Sequence, residues 1–321
     1  MPRPTLHDVA REAGVSHMTV SRVLNGTQVV KPATAQRVQT AVAALGYRPD
    51  PALSALAAYR NGGSGRAQGS TLAFIDCDGT QHSADVFAGA RAESALLGYT
   101  GELIRLPAGE TRQRQLGRVL FHRGVCGLLF GPSETRREFT GWDWRQFATV
   151  SLGALCHRPS MHTVSLDYFH GAISACERLR EAGHRRLALA INPHLENRTG
   201  GLWLGGYAAG VLAHQRPLLC PAESLRDATR FATWLKKEKP AAVLTIHANL
   251  APALVTAGVD ALFLNQDGAG SLFAHYHLPP ADIGREGMRL LHHALLRHEF
   301  GLPPAPKHVA LRGTWTTHNP M

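Results

Sequence analysis

A chain of 321 residues with 44% hydrophobic and 18% charged residues can bury a substantial core, which excludes wholesale disorder and a single small module. Its formal charge of +10 points to a polyanionic partner, and residues 1–60 hold seven Lys/Arg against three Asp/Glu. Five scattered cysteines without a CxxC pair argue against a disulfide framework or zinc site, and the chain has neither a leader-like apolar segment nor a membrane-length apolar run, so a cytoplasmic, nucleoid-associated protein is expected.

The first predicted helix starts at Thr5, with Asp8 three residues on as a near capping box and Leu6, Val9, Ala10 and Ala13 at helical spacing. Gly14 sits where a positive φ ends a helix. Ser16 is placed to cap a second helix, with Val20, Val23 and Leu24 on its apolar side and Asn25-Gly26 at its close. A third runs from Lys31-Pro32 to about Leu45, its apolar face being Ala35, Val38, Val42 and Leu45, and Gly46 ends it. Helices this short bury their faces only by packing together, which leaves the second free to enter a major groove. Its outer side carries His17, Met18, Ser21 and Arg22, placed to reach base edges, and Arg22 suits a bidentate contact with guanine. Thr5, Ser16, Thr19, Asn25 and Tyr47 suit phosphate contacts, and Leu6 joins the same DNA-contact set. On position alone, His17 and Arg22 read equally well as solvated helix residues.

Asp50 and Pro51 then open a helix of about two turns through Tyr59, marginal in water without a partner. Leu53 and Leu56, three apart, suit a dimer contact and an apolar wedge between base steps; a small amphipathic connector is the alternative. The expected division is therefore a helix-turn-helix domain at 1–48, a hinge helix at 49–60, a Gly-rich linker at 61–69 and a body at 70–321.

Within the body, strand signals at 70–75, 125–130, 148–152, 163–167, 187–191, 241–246 and 261–264 alternate with helical ones such as 87–97 and 168–182. This predicts right-handed βαβ units in doubly wound parallel sheets, split into two lobes with a ligand cleft at the carboxyl ends of the strands.

The run Thr5-Leu6-x-Asp8-Val9-Ala10-x-x-Ala13-Gly14-Val15-Ser16-x-x-Thr19-Val20-Ser21-Arg22-Val23-Leu24-Asn25-Gly26, continued by Leu45-Gly46-Tyr47-Arg48-Pro49, resembles the N-terminal signature of the lactose-repressor/galactose-repressor family. Val164–Gly171 with Leu179–Ala188, Phe263–Asp267, Pro280–Met288 and Leu311–Thr314 are similar, more loosely, to the family's later segments. The resemblance implies an all-α helix-turn-helix unit with a hinge helix, joined to a two-lobed, periplasmic-binding-protein-like α/β body with parallel sheets. It implies a sequence-specific regulator, expected to repress, which binds a palindromic double-stranded operator as a homodimer. The expected lobes are about 70–163 with 279–300, and about 164–278 with 301–321. A small carbohydrate-like effector is the further implied partner, with Asp78, Asp167, Arg198, Trp203 and Asp267 as candidate contacts.

Departures from the family are specific. His17 and Met18 stand at its variable base-reading positions, and Lys31 is a poorer cap than the usual Ser. The hinge reads Leu53-Ser54-Ala55-Leu56, without the usual arginine but keeping the leucine inserted into the minor groove. Trp203 stands where an arginine commonly precedes Gly206-Tyr207, and His247 where an Asn-Asp pair is common. Trp203 suits either a sugar face or the core, and Arg198 and Asp267 either ligand hydroxyls or a structural ion pair. The stretches 210–241 and 246–262 are short. An altered ligand and a lost one both account for these changes.

Eighteen histidines include His292-His293 and His275-x-His277, but none has companions at metal-ligand spacing, so nearly all read as surface or interface residues. Gly200-Gly201 and Gly205-Gly206 make no phosphate loop, and no nucleophile, base and orienter assemble. Arg112–Arg118 and Arg136-Arg137 read as solvated faces. No catalytic residue, metal, cofactor or membrane partner is expected. A solute-binding protein and an enzyme fused to a DNA-binding module are set aside, the first by the helix-turn-helix, the second by the missing catalytic constellation.

Overall fold

The first helix begins at its predicted cap. In the computed structural model, which describes residues 5–25, 30–45, 47, 71–153, 157–264 and 273–316, the chain divides into two units, 1–67 and 68–321. The predicted hinge helix at 49–60 and linker at 61–69 lie outside the described residues.

The first unit contains α1 (Leu6–Ala13), α2 (His17–Asn25) and α3 (Pro32–Leu45). The Thr5 hydroxyl accepts the Asp8 N–H while the Asp8 carboxylate accepts the Thr5 N–H at 2.8 Å, a complete capping box. Gly14, at φ 61°, closes α1. The Ser16 hydroxyl accepts the Thr19 N–H at 3.2 Å and so starts α2. Val9, Ala10 and Ala13, with Val20 and with Val38 and Ala41, form one buried core, ringed by half-buried Leu6, Val15, Val23, Val42, Leu45 and Tyr47. Ala41, absent from the expected stripe, is buried while Ala35 is only half-buried, because α3 is packed most closely around its middle turn.

The second unit opens with β1 (Thr71–Asp76), α4 (Gln81–Leu96), β2 (Thr100–Arg105), α5 (Glu110–His122), β3 (Gly127–Phe130), β4 (Ala148–Leu152) and β5 (His162–Leu166). It continues through α6 (Tyr168–Glu181), β6 (Leu187–Ala190), α7 (Pro193–Arg198), α8 (Leu202–Val211), α9 (Ala228–Glu238) and β7 (Ala242–Thr245). The remainder is α10 (Ala251–Ala257), β8 (Asp260–Leu264), β9 (His275–His277), α11 (Pro280–Leu296), β10 (His308–Leu311) and β11 (Thr314–Thr316). One sheet, ordered β10-β5-β4-β3-β1-β2, is parallel throughout. The other, ordered β11-β9-β8-β7-β6, is parallel except for β11 against β9. Each sheet with its helices is one lobe of the predicted α/β body. No described helix is long and apolar enough to cross a membrane.

Strands β1, β3 and β4 are buried along almost their whole length, as expected where helices or loops cover both faces. In the first lobe α4 and α11 cross at glycines: a Cβ on Gly89 would overlap the Ala281 carbonyl, and one on Gly284 the Val86 carbonyl.

The chain passes between the lobes at Asp167, after His277 and at Arg312-Gly313. The predicted lobe division is corrected in two places. Strand β10 pairs with β5, so 308–311 belongs with the first sheet rather than the second, and the cut at 163/164 falls inside β5. A four-residue strand that is nowhere fully buried carries no local signal of which sheet it joins, and the pairing with β5, remote in sequence, decides it. The crossings are tied together: the Asp167 N–H donates to the Leu311 carbonyl at 2.7 Å, and the Gly313 N–H donates to the Tyr276 hydroxyl at 2.7 Å. Gly313 is needed there, since a Cβ would lie 2.7 Å from the His277 carbonyl oxygen.

Candidate functional site

In the first unit, the capped α1 and the shared core hold α2 with His17, Met18 and Arg22 exposed, Met18 at 55%. Three of the four residues expected to face base edges are thus exposed side chains on one short helix; Ser21 and Asn25 lie within α2. Ser16 and Thr19 share a hydroxyl hydrogen bond at 2.9 Å at its start. Thr5 is engaged in the capping box, and its hydrogen bonds, with Arg11 beside it, hold the Asp8 carboxyl below the ordinary range. Leu6 and Tyr47 are half-buried at the edge of the core, and the Tyr47 N–H donates to the Val42 carbonyl at 3.1 Å. Leu53 and Leu56 lie outside the described residues. The sequence reading missed His7 on α1, whose ring lies 5.0 Å from that of His17; ten residues of separation hide a contact made only when two helices meet.

In the second unit, Asp78 and Asp167 follow the carboxyl ends of β1 and β5, where a parallel sheet presents its ligands. Both carboxylates are already engaged. Asp78 accepts the Glu134 N–H at 2.5 Å and pairs with Arg137, which also donates to the Ser133 hydroxyl at 3.1 Å. Burial pushes the Asp78 carboxyl up, but the Glu134 N–H and Arg137 outweigh it and hold it below the ordinary range. Arg137 is therefore an ion-pair partner, which corrects its reading as part of a solvated face. Asp167 caps α6, accepting the His170 N–H at 3.1 Å and its Nδ1 at 2.9 Å, with Arg312 Nε 4.0 Å away.

Trp203 takes the core alternative. It is 2% exposed and meets the Tyr168 ring edge-on at 5.1 Å, so its face is not offered to a sugar. The cause lies in the neighbouring glycines: Gly206 brings α8 against the Phe169 carbonyl, and Gly171 makes room for the indole. Arg198 ends α7, half-buried and without an ion pair among the described residues. Asp267 lies outside the described residues.

Three further residues shape these strand ends. His247 Nε2 accepts the Asn192 N–H at 3.0 Å, tying the start of α7 to β7, and burial lowers its pKa. Glu196 accepts the Leu204 N–H at 2.8 Å, capping α8 from outside because Gly201 at its start has no side chain to do so. Burial pushes this carboxyl up, only partly opposed by those hydrogen bonds. His157 is 4% exposed, with Nδ1 3.0 Å from the Ser151 hydroxyl and Phe139 edge-on at 5.2 Å. Burial drives its imidazole down to about 4. With His162, also buried, it departs from the expected surface role of the histidines. Among the described residues, no three His, Cys, Asp or Glu are grouped to hold a metal ion.

Residues 5–50 match the family described as bacterial regulatory proteins, lacI family. Catabolite control protein A of Staphylococcus xylosus is 26% identical over 97% of this chain and 98% of its own length. The sucrose operon repressor of Escherichia coli is 37% identical, over 57% of this chain and 54% of its own. Among solved structures, the lac repressor dimer bound to operator and the anti-inducer ONPF is similar with a TM-score of 0.57 and 17% identity, over 98% of both chains. The CelR–cellobiose complex is similar at 0.54 and 22%, over 98% of this chain and 99% of that one. The match over residues 5–50 places the capped three-helix unit in the lacI family of bacterial regulatory proteins; over nearly its full length the chain is similar to catabolite control protein A, and it shares the two-lobed fold of the solved structures.

Proposed function

We propose that this chain is a sequence-specific DNA-binding transcription regulator, a repressor, that acts in the cytoplasm and has no catalytic role of its own. The observation that carries this is the exposure of His17, Met18 and Arg22 on α2, above a core that fixes the helix. Arg22 reads guanine, and His17 and Met18 set the rest of a half-site. Thr5, Leu6, Ser16, Thr19, Ser21, Asn25 and Tyr47 fix register on the backbone and groove edge. Selection of bound duplexes from a random library with the full chain tests this. Arg22→Ala should weaken the selected duplex by about 1–3 kcal/mol and relax one base-pair preference; unchanged specificity overturns the reading.

The operator is palindromic and the regulator a homodimer, because one helix-turn-helix reads too few base pairs for useful selectivity. In support, edge strand β2 exposes Leu103, and Leu96, Val119 and Phe121 on α4 and α5 are exposed as well, an apolar set suited to a second copy. The hinge over 49–60 joins the halves at the operator centre, where Leu56 of each chain enters the minor groove. A monomer by light scattering with the selected duplex present overturns this part.

A small carbohydrate-like effector modulates binding from between the lobes of 70–321. This draws on the likeness to a regulator solved with cellobiose and to one named for the sucrose operon. Titration calorimetry of mono- and disaccharides against the full chain tests it, and no heat with any of them overturns it.

A further inference from the structure

His7 on α1 and His17 at the start of α2 bring their imidazole rings to 5.0 Å between centroids, with 32° between planes. Both side chains are exposed. Neither belongs to the capping box of α1 or to the three-helix core, which are complete without them. Folding therefore gives no reason for the contact, whereas its position does: one ring is carried by the first residue of the helix that reads DNA.

We propose that His7 is a positioning residue for base reading, its ring lying tilted against His17 and holding that side chain where it meets a base edge. The inference rests on α2 being the recognition helix. Unrestrained, an exposed histidine turns about two side-chain bonds, and each rotamer that points away from the groove must be given up on binding. A tilted ring pair in contact removes much of that freedom beforehand. The restraint comes from a separate helix, and Val9, Ala13 and Val20 in the common core fix α1 relative to α2. His7 thus sets sequence preference through His17 without itself reading a base.

The test uses the full-length chain. Random-duplex selection defines the preferred site, and fluorescence anisotropy then compares the selected duplex with a scrambled one. His7→Ala should weaken the selected duplex about three- to tenfold, leave the scrambled one unchanged and broaden preference at a single base pair of each half-site. His7→Phe, which keeps a ring but cannot make imidazole hydrogen bonds, should restore both affinity and preference. In a His17→Ala background, His7→Ala should change nothing further. Unaltered preference in His7→Ala, no rescue by His7→Phe, or an equal loss in the His17→Ala background overturns the proposal. A wild-type chain that selects no sequence overturns the reading beneath it, and the proposal with it.

Discussion

Arg137 lies against Asp78 at the end of β1, the carboxylate side chain 12% exposed and the guanidinium 38%. The pair joins the loop after β3 to the loop after β1, and Asp78 is held below its ordinary pKa despite burial. Stability from such a group is complete above the ordinary aspartate value of about 3.9 and disappears as pH falls through the lower, folded value. Arg137→Ala should therefore lower unfolding free energy at pH 7 by about 1 kcal/mol, solvent on the guanidinium side keeping the loss small. The gap from wild type should close below about pH 4. Urea unfolding at several pH values measures it; a gap that stays constant with pH shows that the pair is not its source.

His157 also loses stability as pH falls, but here it is the neutral form that the fold favours. A proton on this buried ring has no carboxylate to pair with directly, so the folded protein takes it up less readily than the unfolded chain. Stability tied to the neutral ring is whole above the ordinary histidine value of about 6.5 and declines toward about 4. The slope approaches about 1.4 kcal/mol per pH unit. His157→Gln should be less stable than wild type at pH 7 and gain on it steadily down to pH 4.5. Parallel pH profiles for the two proteins would show that the ring is already charged when folded.

The crossing of α4 and α11 tolerates no added carbon. Gly89→Ala and Gly284→Ala should each cost about 1–3 kcal/mol, toward the upper end because backbone rather than a movable side chain is in the way. Gly101→Ala is the control, since its Cβ would meet only the Ser94 hydroxyl at 3.8 Å. Thermal unfolding of the three variants checks the order, and equal midpoints would mean that the helices can separate freely.

Trp203 is a packing residue, not a ligand platform. Trp203→Ala should destabilise by about 3–5 kcal/mol. Trp203→Arg, which puts back the residue type common in the family, should unfold the second lobe rather than create a sugar site. Denaturant midpoints and intrinsic fluorescence measure both; a stable Trp203→Arg protein that binds sugar would reverse the assignment.

The first unit was readable because its signals are local. Thr5, Asp8, Gly14 and Ser16 act on backbone groups within a turn of themselves, so spacing alone reveals them. Strands β1, β3 and β4 were readable as apolar runs covered on both faces. Edge strand β2, with Leu103 exposed, shows no such run and went unmarked, as did the short helices α7 and α8. The candidate ligand residues were the least legible. Position suggested Asp78, Asp167 and Trp203, but their partners Arg137, His170 and Tyr168 are set by loops and helix crossings. Whether a carboxylate is free or spoken for is a property of the folded neighbourhood, and no residue spacing carries it.

The ties among the three crossings have a mechanical consequence. Three independent threads between two bodies would let them slide and twist as well as open. Here Asp167 is fastened to Leu311, and Gly313 to Tyr276, the residue before His277, so the threads are bound like the pages of a book along its spine. Sliding or twisting of one lobe along the other would have to break these two bonds.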